Sequence, residues 1–437
     1  MGNSRNKINF ISVSWYVLIG FYCLYEFTIY SHLNLIVTNL LVLGIISVTS
    51  LFVVITLVTK RWKMNMSALA WVPFILVLVY NVVKGYDISK SYVVLFILCV
   101  LMSMRYQPNE DMWENVLKAF KVMAVICAVG VLVQLIVPPV HRILLSLVFG
   151  DSMRAYVASY AARGYYSGFV HQVGSCAFYL AAGIIAEIFS DDTKKKKTYM
   201  VIFLGIVLLL QGKRSIFGFL IIALLASYIL SSKGTKKIRR LAICVLVVMV
   251  GWVVLQEAIA MFGDMNLFRK LAYTFEYLKT SDITGLIKES GREHLYELAK
   301  SLSKHDPVWG IGWGRFSDMA YSMHGTATSV HNVYLQLQCE TGAVGFASFL
   351  FGAGFSIITL LSANRRLNAY SGEDALKYRR YFSIAFSGQA LFLLFCIVEN
   401  PLYNENCLIF YFFMIMFTLS LNRKLRELGN TRTVVKF

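Results

Sequence analysis

Apolar stretches recur along the whole chain, about every 25 to 40 residues. Each is near the length that a helix needs to cross the roughly 30 Å hydrocarbon core of a bilayer. Only 15% of the residues are charged, whereas a soluble globular protein carries about 25%. The pattern therefore predicts an all-α polytopic membrane protein and excludes soluble globular, disordered and fibrous chains. We predict twelve spans, near residues 10–30, 35–58, 67–83, 90–104, 118–137, 171–189, 198–212, 215–231, 240–256, 329–361, 381–398 and 406–421.

The basic residues orient these spans. With the N-terminus inside, 27 of the 42 Lys and Arg residues fall in inner segments and 7 in short outer loops. Because short cytoplasmic loops are enriched in Lys and Arg, both termini are predicted to be cytoplasmic. The first apolar run is long and is followed by many others, so it is predicted to be a retained span. The net charge of +18 is then mostly a topology signal and predicts no nucleic-acid partner.

Two regions of this single transmembrane domain, residues 1–437, are predicted to face outward and to be functional. The longer is the extracytoplasmic loop 257–328, between spans nine and ten, which shows helical periodicity near residues 291–299. Loops of this length are usually functional or linkers. The other region is the turn that holds Lys213 and Arg214, where two short spans draw both cations below the outer membrane surface. A cation at that depth is expensive and is a functional candidate, although a snorkelling helix turn is the alternative.

A membrane helix is predicted to begin near His331, just after the long loop, and span 329–361 is long enough to include a kinked or surface portion. At 100° per residue, His331 shares a face with Gly342 and Gly345, and Glu340 lies opposite. His331 and Glu340 therefore cannot form a dyad along this helix. The glycines allow close packing of another segment. From these residues alone, a histidine at the start of a membrane helix can also be structural.

Four segments carry a more specific pattern: Arg163…Gly168-Phe169-Val170; Lys213-Arg214-Ser215; Gly291-Arg292 with Pro307-x-x-Gly310-x-Gly312-x-Gly314-x-Phe316; and His331-Asn332-x-x-Leu335…Glu340-x-Gly342-x-x-Gly345. In this order they resemble the signature of the O-antigen ligase and polymerase superfamily, over about residues 160–350. The chain departs from that signature at His171-Gln172, where the family has Pro-Asn. The roles of His171, Glu26 and Glu340 stay open.

The resemblance implies a glycosyltransferase of the bacterial cytoplasmic membrane with an extracytoplasmic active site. The family moves glycans from an undecaprenyl-diphosphate carrier onto an acceptor, without a metal or cofactor. We expect a polymerase that joins lipid-linked repeat units into a capsule, exopolysaccharide or O-antigen chain. Its partners would be the lipid-linked donor and acceptor, the bilayer, a flippase and a chain-length regulator. A ligase acting on another acceptor is the first alternative, and a transporter or flippase without chemistry is the second.

The resemblance also assigns roles to residues. His331 is the expected base, because an imidazole with a pKa near 6.5 is neutral outside the cell and can take a proton from a sugar hydroxyl. Arg292 and Arg214 are expected to clamp the diphosphate through their planar guanidinium forks. Without the family, an ordinary surface ion pair would explain Arg292. Supporting substrate contacts are expected from Lys213, Arg163, Arg154, Asn332 and Arg315.

Overall fold

The computed structural model describes residues 10–28, 66–84, 110–232, 235–262, 292–325, 327–370 and 373–434. Within these ranges the chain is built from helices, which confirms the predicted all-α class. The α-helices are α1 (Phe10–Thr28), α2 (Met66–Leu69), α3 (Val72–Val83), α4 (Glu110–Ile136), α5 (Pro138–Val148), α6 (Asp151–Ala162), α7 (Val173–Ile188), α8 (Lys194–Leu210), α9 (Arg214–Leu230), α10 (Thr235–Phe262), α11 (Glu293–Ser303), α12 (Phe316–His324), α13 (Val333–Leu367), α14 (Glu373–Phe395) and α15 (Glu405–Val434). A 3-10 turn at Pro401–Tyr403 precedes α15.

Helices lie where ten of the twelve spans are predicted, and the spans predicted at 35–58 and 90–104 fall outside the described residues. By length and composition, three helices of the described part can cross a membrane, within α4, α13 and α15. Apolar stretches in α1, α3, α7 and α9 are shorter than the ~20 residues of a typical span. A membrane protein is therefore supported, but the number of twelve spans is not confirmed.

Helix α15 lies at the centre of the bundle, packed against α14, α13 and α1. Its residues are buried continuously from Glu405 to Asn422. A helix that is apolar on every face needs apolar surroundings on every side, from lipid or from other helices, and here other helices supply them. Aromatic rings supply much of this contact: the ring of Phe417 stacks on Trp113, with centroids 3.6 Å apart, and that of Tyr411 stacks on Phe392 at 4.2 Å.

Helix α13 is broken at Gly342, which has a φ of 62° and a ψ of −167°. Of the two predicted alternatives, a kinked or a surface portion, the kink is confirmed. A break frees backbone groups that must find partners when no water is near. The loop before α12 supplies them through Ile311 N–H to Cys339 C=O (3.0 Å), Gly312 N–H to Glu340 C=O (2.9 Å) and Ala343 N–H to Pro307 C=O (2.8 Å).

The close approach of this loop explains two of the motif glycines. A Cβ added to Gly342 would lie 2.2 Å from the carbonyl oxygen of Val308, and one added to Gly310 would lie 2.4 Å from the carbonyl carbon of Glu340. Both glycines also have positive φ values. These two glycines therefore allow a loop to cross a broken helix. Helices α11 and α12 pack over the start of α13, which confirms the helical periodicity expected near residues 291–299.

Candidate active site

A single carboxylate, that of Glu399, lies where four separate parts of the chain meet. Glu399 follows α14, and its side chain is only 13% exposed. Its Oε1 atom contacts the Lys213 ammonium and lies 3.3 Å from Nη2 of Arg292. Its Oε2 atom lies 3.0 Å from Nδ1 of His331. The structure thus brings together three of the residues that the sequence predicted, around a fourth that it did not.

Backbone contacts fix Arg292 and His331 against the end of α14. Arg292 precedes α11, and its Nη1 donates to the carbonyl of Val398 at 2.6 Å. Its guanidinium therefore binds the turn after α14 through two nitrogens. The backbone N–H of Val333 donates to the carbonyl of Cys396 at 2.9 Å. His331 itself has a φ of 57°, in the left-handed region that non-glycine residues seldom adopt and that often marks functional sites.

Lys213 lies in the tight turn between α8 and α9. The buried side chain of Gln211 holds this turn, because its amide donates to the carbonyl of Val173 (2.7 Å) and accepts from the backbone N–H of Lys213 (3.1 Å). Gly212 has a φ of 98°, and a Cβ there would lie 2.5 Å from the carbonyl oxygen of Gly164. The turn is therefore pressed against the segment that follows α6.

Among the residues that the structure describes, the contacts of this cluster include more basic than acidic side chains. Burial, together with the charges of Arg292 and Lys213, lowers the pKa of His331 to about 3, so the imidazole is neutral near pH 7. Burial and the charge of Arg292 also lower the pKa of Lys213. One carboxylate, that of Glu399, faces two basic side chains. Because an incompletely neutralised buried cation is unfavourable, the cluster favours the arrival of an anion.

Glu340 stabilises the loop that crosses the broken helix. Its buried carboxylate accepts hydrogen bonds from the backbone N–H groups of Gly314 (2.7 Å) and Phe316 (3.1 Å) and from the Tyr403 hydroxyl (2.7 Å). The carboxylate that reaches His331 is that of Glu399, in agreement with the expectation that His331 and Glu340 form no dyad.

Comparison with known proteins bears on this cluster. Residues 199–350 match the family model described as O-Antigen ligase. The predicted resemblance to the O-antigen ligase and polymerase superfamily is confirmed. The match covers about a third of the chain and includes Lys213, Arg292 and His331. No curated protein matches the chain. With the apolar helices, the family match indicates an integral membrane enzyme of glycosyltransferase type that acts on lipid-linked glycans.

Three other predicted residues of the O-antigen ligase match lie at helix starts. Arg214 is the first residue of α9, half-buried and adjacent in the chain to Lys213. Asn332 caps α13, because its side-chain oxygen accepts from the backbone N–H of Leu335 at 3.1 Å. Arg315 precedes α12, and its side chain is exposed.

Arg154 and Arg163, both predicted to support substrate binding, belong to α6 and its end. Arg154 forms an ion pair with Asp151 and lines a cavity of about 420 Å³ between α4, α5 and α6. Arg163 is exposed, and its guanidinium lies 5.8 Å from the ring centre of Tyr160. Tyr166 also lines this cavity, and its backbone N–H donates to the backbone carbonyl of Gln211, two residues before Lys213, at 3.0 Å.

A second buried pair lies where the chain departs from the family signature. Nδ1 of His171 lies 2.5 Å from the carboxylate of Glu26, and both side chains are buried. The Asn406 side chain donates to the other oxygen of Glu26 at 2.8 Å. This pair joins α1, the start of α7 and α15.

Sequence reasoning missed Glu399. A signal was present, since Glu399 is an acidic residue at the end of the apolar span 381–398 and precedes Asn400-Pro401. It lies outside the segment that matches the O-antigen ligase family. A charged residue at a predicted outer membrane boundary is a functional candidate for the same physical reason as Lys213 and Arg214.

Proposed function

We propose that the protein polymerises undecaprenyl-diphosphate-linked oligosaccharide repeat units into a surface polysaccharide, on the outer face of the bacterial cytoplasmic membrane. The observation that carries this proposal is the convergence of Lys213, Arg292 and His331 on Glu399. It supplies a neutral base and a cationic group within one enclosed cluster. A glycosyl transfer from a lipid diphosphate needs both.

The proposed reaction is a displacement at the anomeric carbon of the donor. Nε2 of His331 takes the proton of an acceptor sugar hydroxyl, and the hydroxyl oxygen forms a bond to that carbon. The bond between the carbon and the diphosphate oxygen breaks, and undecaprenyl diphosphate leaves with the electron pair. The products are an acceptor glycan longer by the donated chain and the free lipid diphosphate. The proton on His331 then passes to solvent.

The cations stabilise the charge that develops on the leaving group. Arg292 offers a planar fork, and Lys213 a compact charge, so together they can neutralise two phosphate groups. Arg214 is placed to add charge from the start of α9. Asn332 acts through the helix that it caps, because that cap fixes the segment that bears His331. Arg154, Arg163 and Arg315 are proposed to contact substrate away from the breaking bond.

A ligase would use the same chemistry on a different acceptor, and the products distinguish the two. Purified protein in lipid nanodiscs is given a lipid-linked repeat unit, first alone and then together with a non-identical glycan acceptor. A ladder of products that grows by whole repeat units supports polymerisation. A single transfer to an added non-identical acceptor, without a ladder, supports ligation. Movement of the lipid-linked unit across the bilayer of proteoliposomes, without glycan transfer, supports transport and contradicts both polymerisation and ligation.

A further inference from the structure

Glu399 is placed to do more than balance charge, because its two carboxylate oxygens serve different partners. One oxygen contacts Lys213 and Arg292, which are proposed to hold the donor diphosphate, and the other contacts Nδ1 of His331. A single side chain therefore touches both the anion-binding groups and the proposed base.

We propose that Glu399 is a positioning residue that couples the binding of the anionic donor to the basicity of His331. This inference rests on the proposed function, since it assigns a lipid diphosphate to the two cations. Glu399 fixes which nitrogen of His331 is free, and the donor sets how strongly that nitrogen holds a proton.

The first part follows from hydrogen-bond chemistry. A carboxylate only accepts hydrogen bonds, so a neutral imidazole whose Nδ1 lies 3.0 Å from Glu399 places its proton on Nδ1. The lone pair then lies on Nε2, which faces away from Glu399 and is free to take a proton. The carboxylate also holds the plane of the ring, and the contact of Val333 with Cys396 holds the backbone beside it.

The second part follows from the charges that face the imidazole. Without an anion, Lys213 and Arg292 oppose protonation of His331, and Glu399 divides its charge among all three groups. The phenol groups of Tyr296, Tyr165 and Tyr160 also face Arg292. A diphosphate bound to the two cations cancels their repulsion of a protonated imidazole. The negative charge of Glu399 then acts mainly on His331. The imidazole is therefore a stronger base when donor is bound.

Nitrogen-15 NMR of histidine-labelled protein in nanodiscs tests this directly. The His331 signals are assigned by their loss in H331N, and pH titrations are run with and without farnesyl diphosphate as the probe. Free protein should show the tautomer protonated at Nδ1. The probe should raise the pKa of His331 by at least about one unit, because it removes two repulsive charges. A tautomer protonated at Nε2, or the same pKa with and without the probe, would overturn the proposal.

Variants separate coupling from support of the fold. E399Q keeps the shape but removes the charge, so it should lose the preference for the Nδ1 tautomer and at least half of the probe-induced shift. E399D keeps the charge and should restore part of both, which a merely structural residue would not do. E297Q, at an exposed glutamate of α11, is the matched control and should behave as wild type. An E399Q protein with an unchanged tautomer and shift would also overturn the proposal.

The coupling through Glu399 and the proposed glycan transfer are contradicted by different results. The NMR experiment needs no glycan and no turnover. A protein that makes a polymer ladder but shows no probe-induced shift contradicts the coupling alone. A protein that shows the shift but transfers no glycan contradicts the proposed function and keeps the coupling of Glu399 and His331.

Discussion

Ion pairs join helices at two opposite ends of the bundle, but the ratio of acids to bases differs between them. At the end where α4, α7 and α14 meet the α7–α8 turn, Lys121 contacts both Glu187 (2.9 Å) and Asp192 (2.7 Å). Arg380 there contacts Glu114 and Asp191. Each of these bases thus has two acids. We call this the paired end.

At the other end, which we call the Glu399 end, the ratio is reversed. Lys213, Arg292 and His331 share the one carboxylate of Glu399. The acids of the paired end range from 4% exposed, at Glu187, to 79% exposed, at Asp191, whereas the shared carboxylate of Glu399 is 13% exposed. Among the described ion pairs, the same residue types therefore hold helices together at one end and leave more bases than acids around one carboxylate at the other. The excess, together with burial, marks the Glu399 end as the site that can receive an anion.

Loss of the base should have the largest effect. H331A should lower the rate of glycan transfer by about 10²- to 10⁴-fold, the usual contribution of a general base. The amount of protein in the membrane should not change. Chain-length analysis of the polymer and immunoblotting of the same membranes check both. Polymer of normal amount and length from H331A would show that the Glu399 end does not supply the base.

Loss of the Arg292 guanidinium should cause the second-largest fall in activity. R292K keeps a positive charge but cannot contact Val398 and Glu399 in the same fixed geometry. We expect kcat/KM for the lipid-linked donor to fall roughly 10- to 100-fold, since a hydrogen bond to a charged group is worth about 1.5–3 kcal/mol. Initial rates over a range of donor concentrations measure this. An unchanged kcat/KM would make Arg292 a structural ion-pair residue, like those of the paired end.

Replacement of Arg214 should cause the third-largest fall in activity. R214K is expected to lower kcat/KM about three- to tenfold, the effect of losing one ordinary hydrogen bond of about 1 kcal/mol. The matched control is R423K, at an arginine that is 60% exposed and pairs with Glu427. The control should match wild type. Equal rates for R214K and R423K would leave Arg214 with a topological role only.

The paired end should give the smallest effect. K121Q removes two ion pairs and leaves the carboxylate of Glu187, which is only 4% exposed, without the Lys121 cation, so a fall in thermal stability is expected. Because Lys121 is remote from the proposed chemistry, we expect transfer rates of the folded protein within about twofold of wild type. A loss of activity as large as that of R292K, measured in the same nanodisc assay, would contradict the distinction between the two ends.

The sequence was a good guide to helices and a weaker guide to the membrane and the site. Long apolar runs predicted α4, α13 and α15, because burial or lipid contact favours helices in such runs. They could not fix the number of spans, since stretches as short as those in α7 and α9 can be either buried core helices or spans. The break at Gly342 could be suspected from length, but its partner loop could not.

The site shows the same limit. Lys213, Arg292 and His331 lie far apart in the chain, and only the family resemblance grouped them before the structure did. Glu399 was missed because the resemblance ended before it and because a lone glutamate at a helix end is an ordinary surface feature. Long-range packing of α14 against α9 and α13 brings it into the cluster, and no local pattern in the sequence encodes that packing.

The most direct test of the account is a cryo-electron microscopy structure of the wild-type protein in nanodiscs with undecaprenyl diphosphate bound. We expect the phosphate oxygens within hydrogen-bond distance of the Lys213 ammonium and the Arg292 guanidinium, with Nδ1 of His331 still on Glu399. A diphosphate bound at the paired end, or one bound while Lys213 and Arg292 touch no phosphate oxygen, would contradict it.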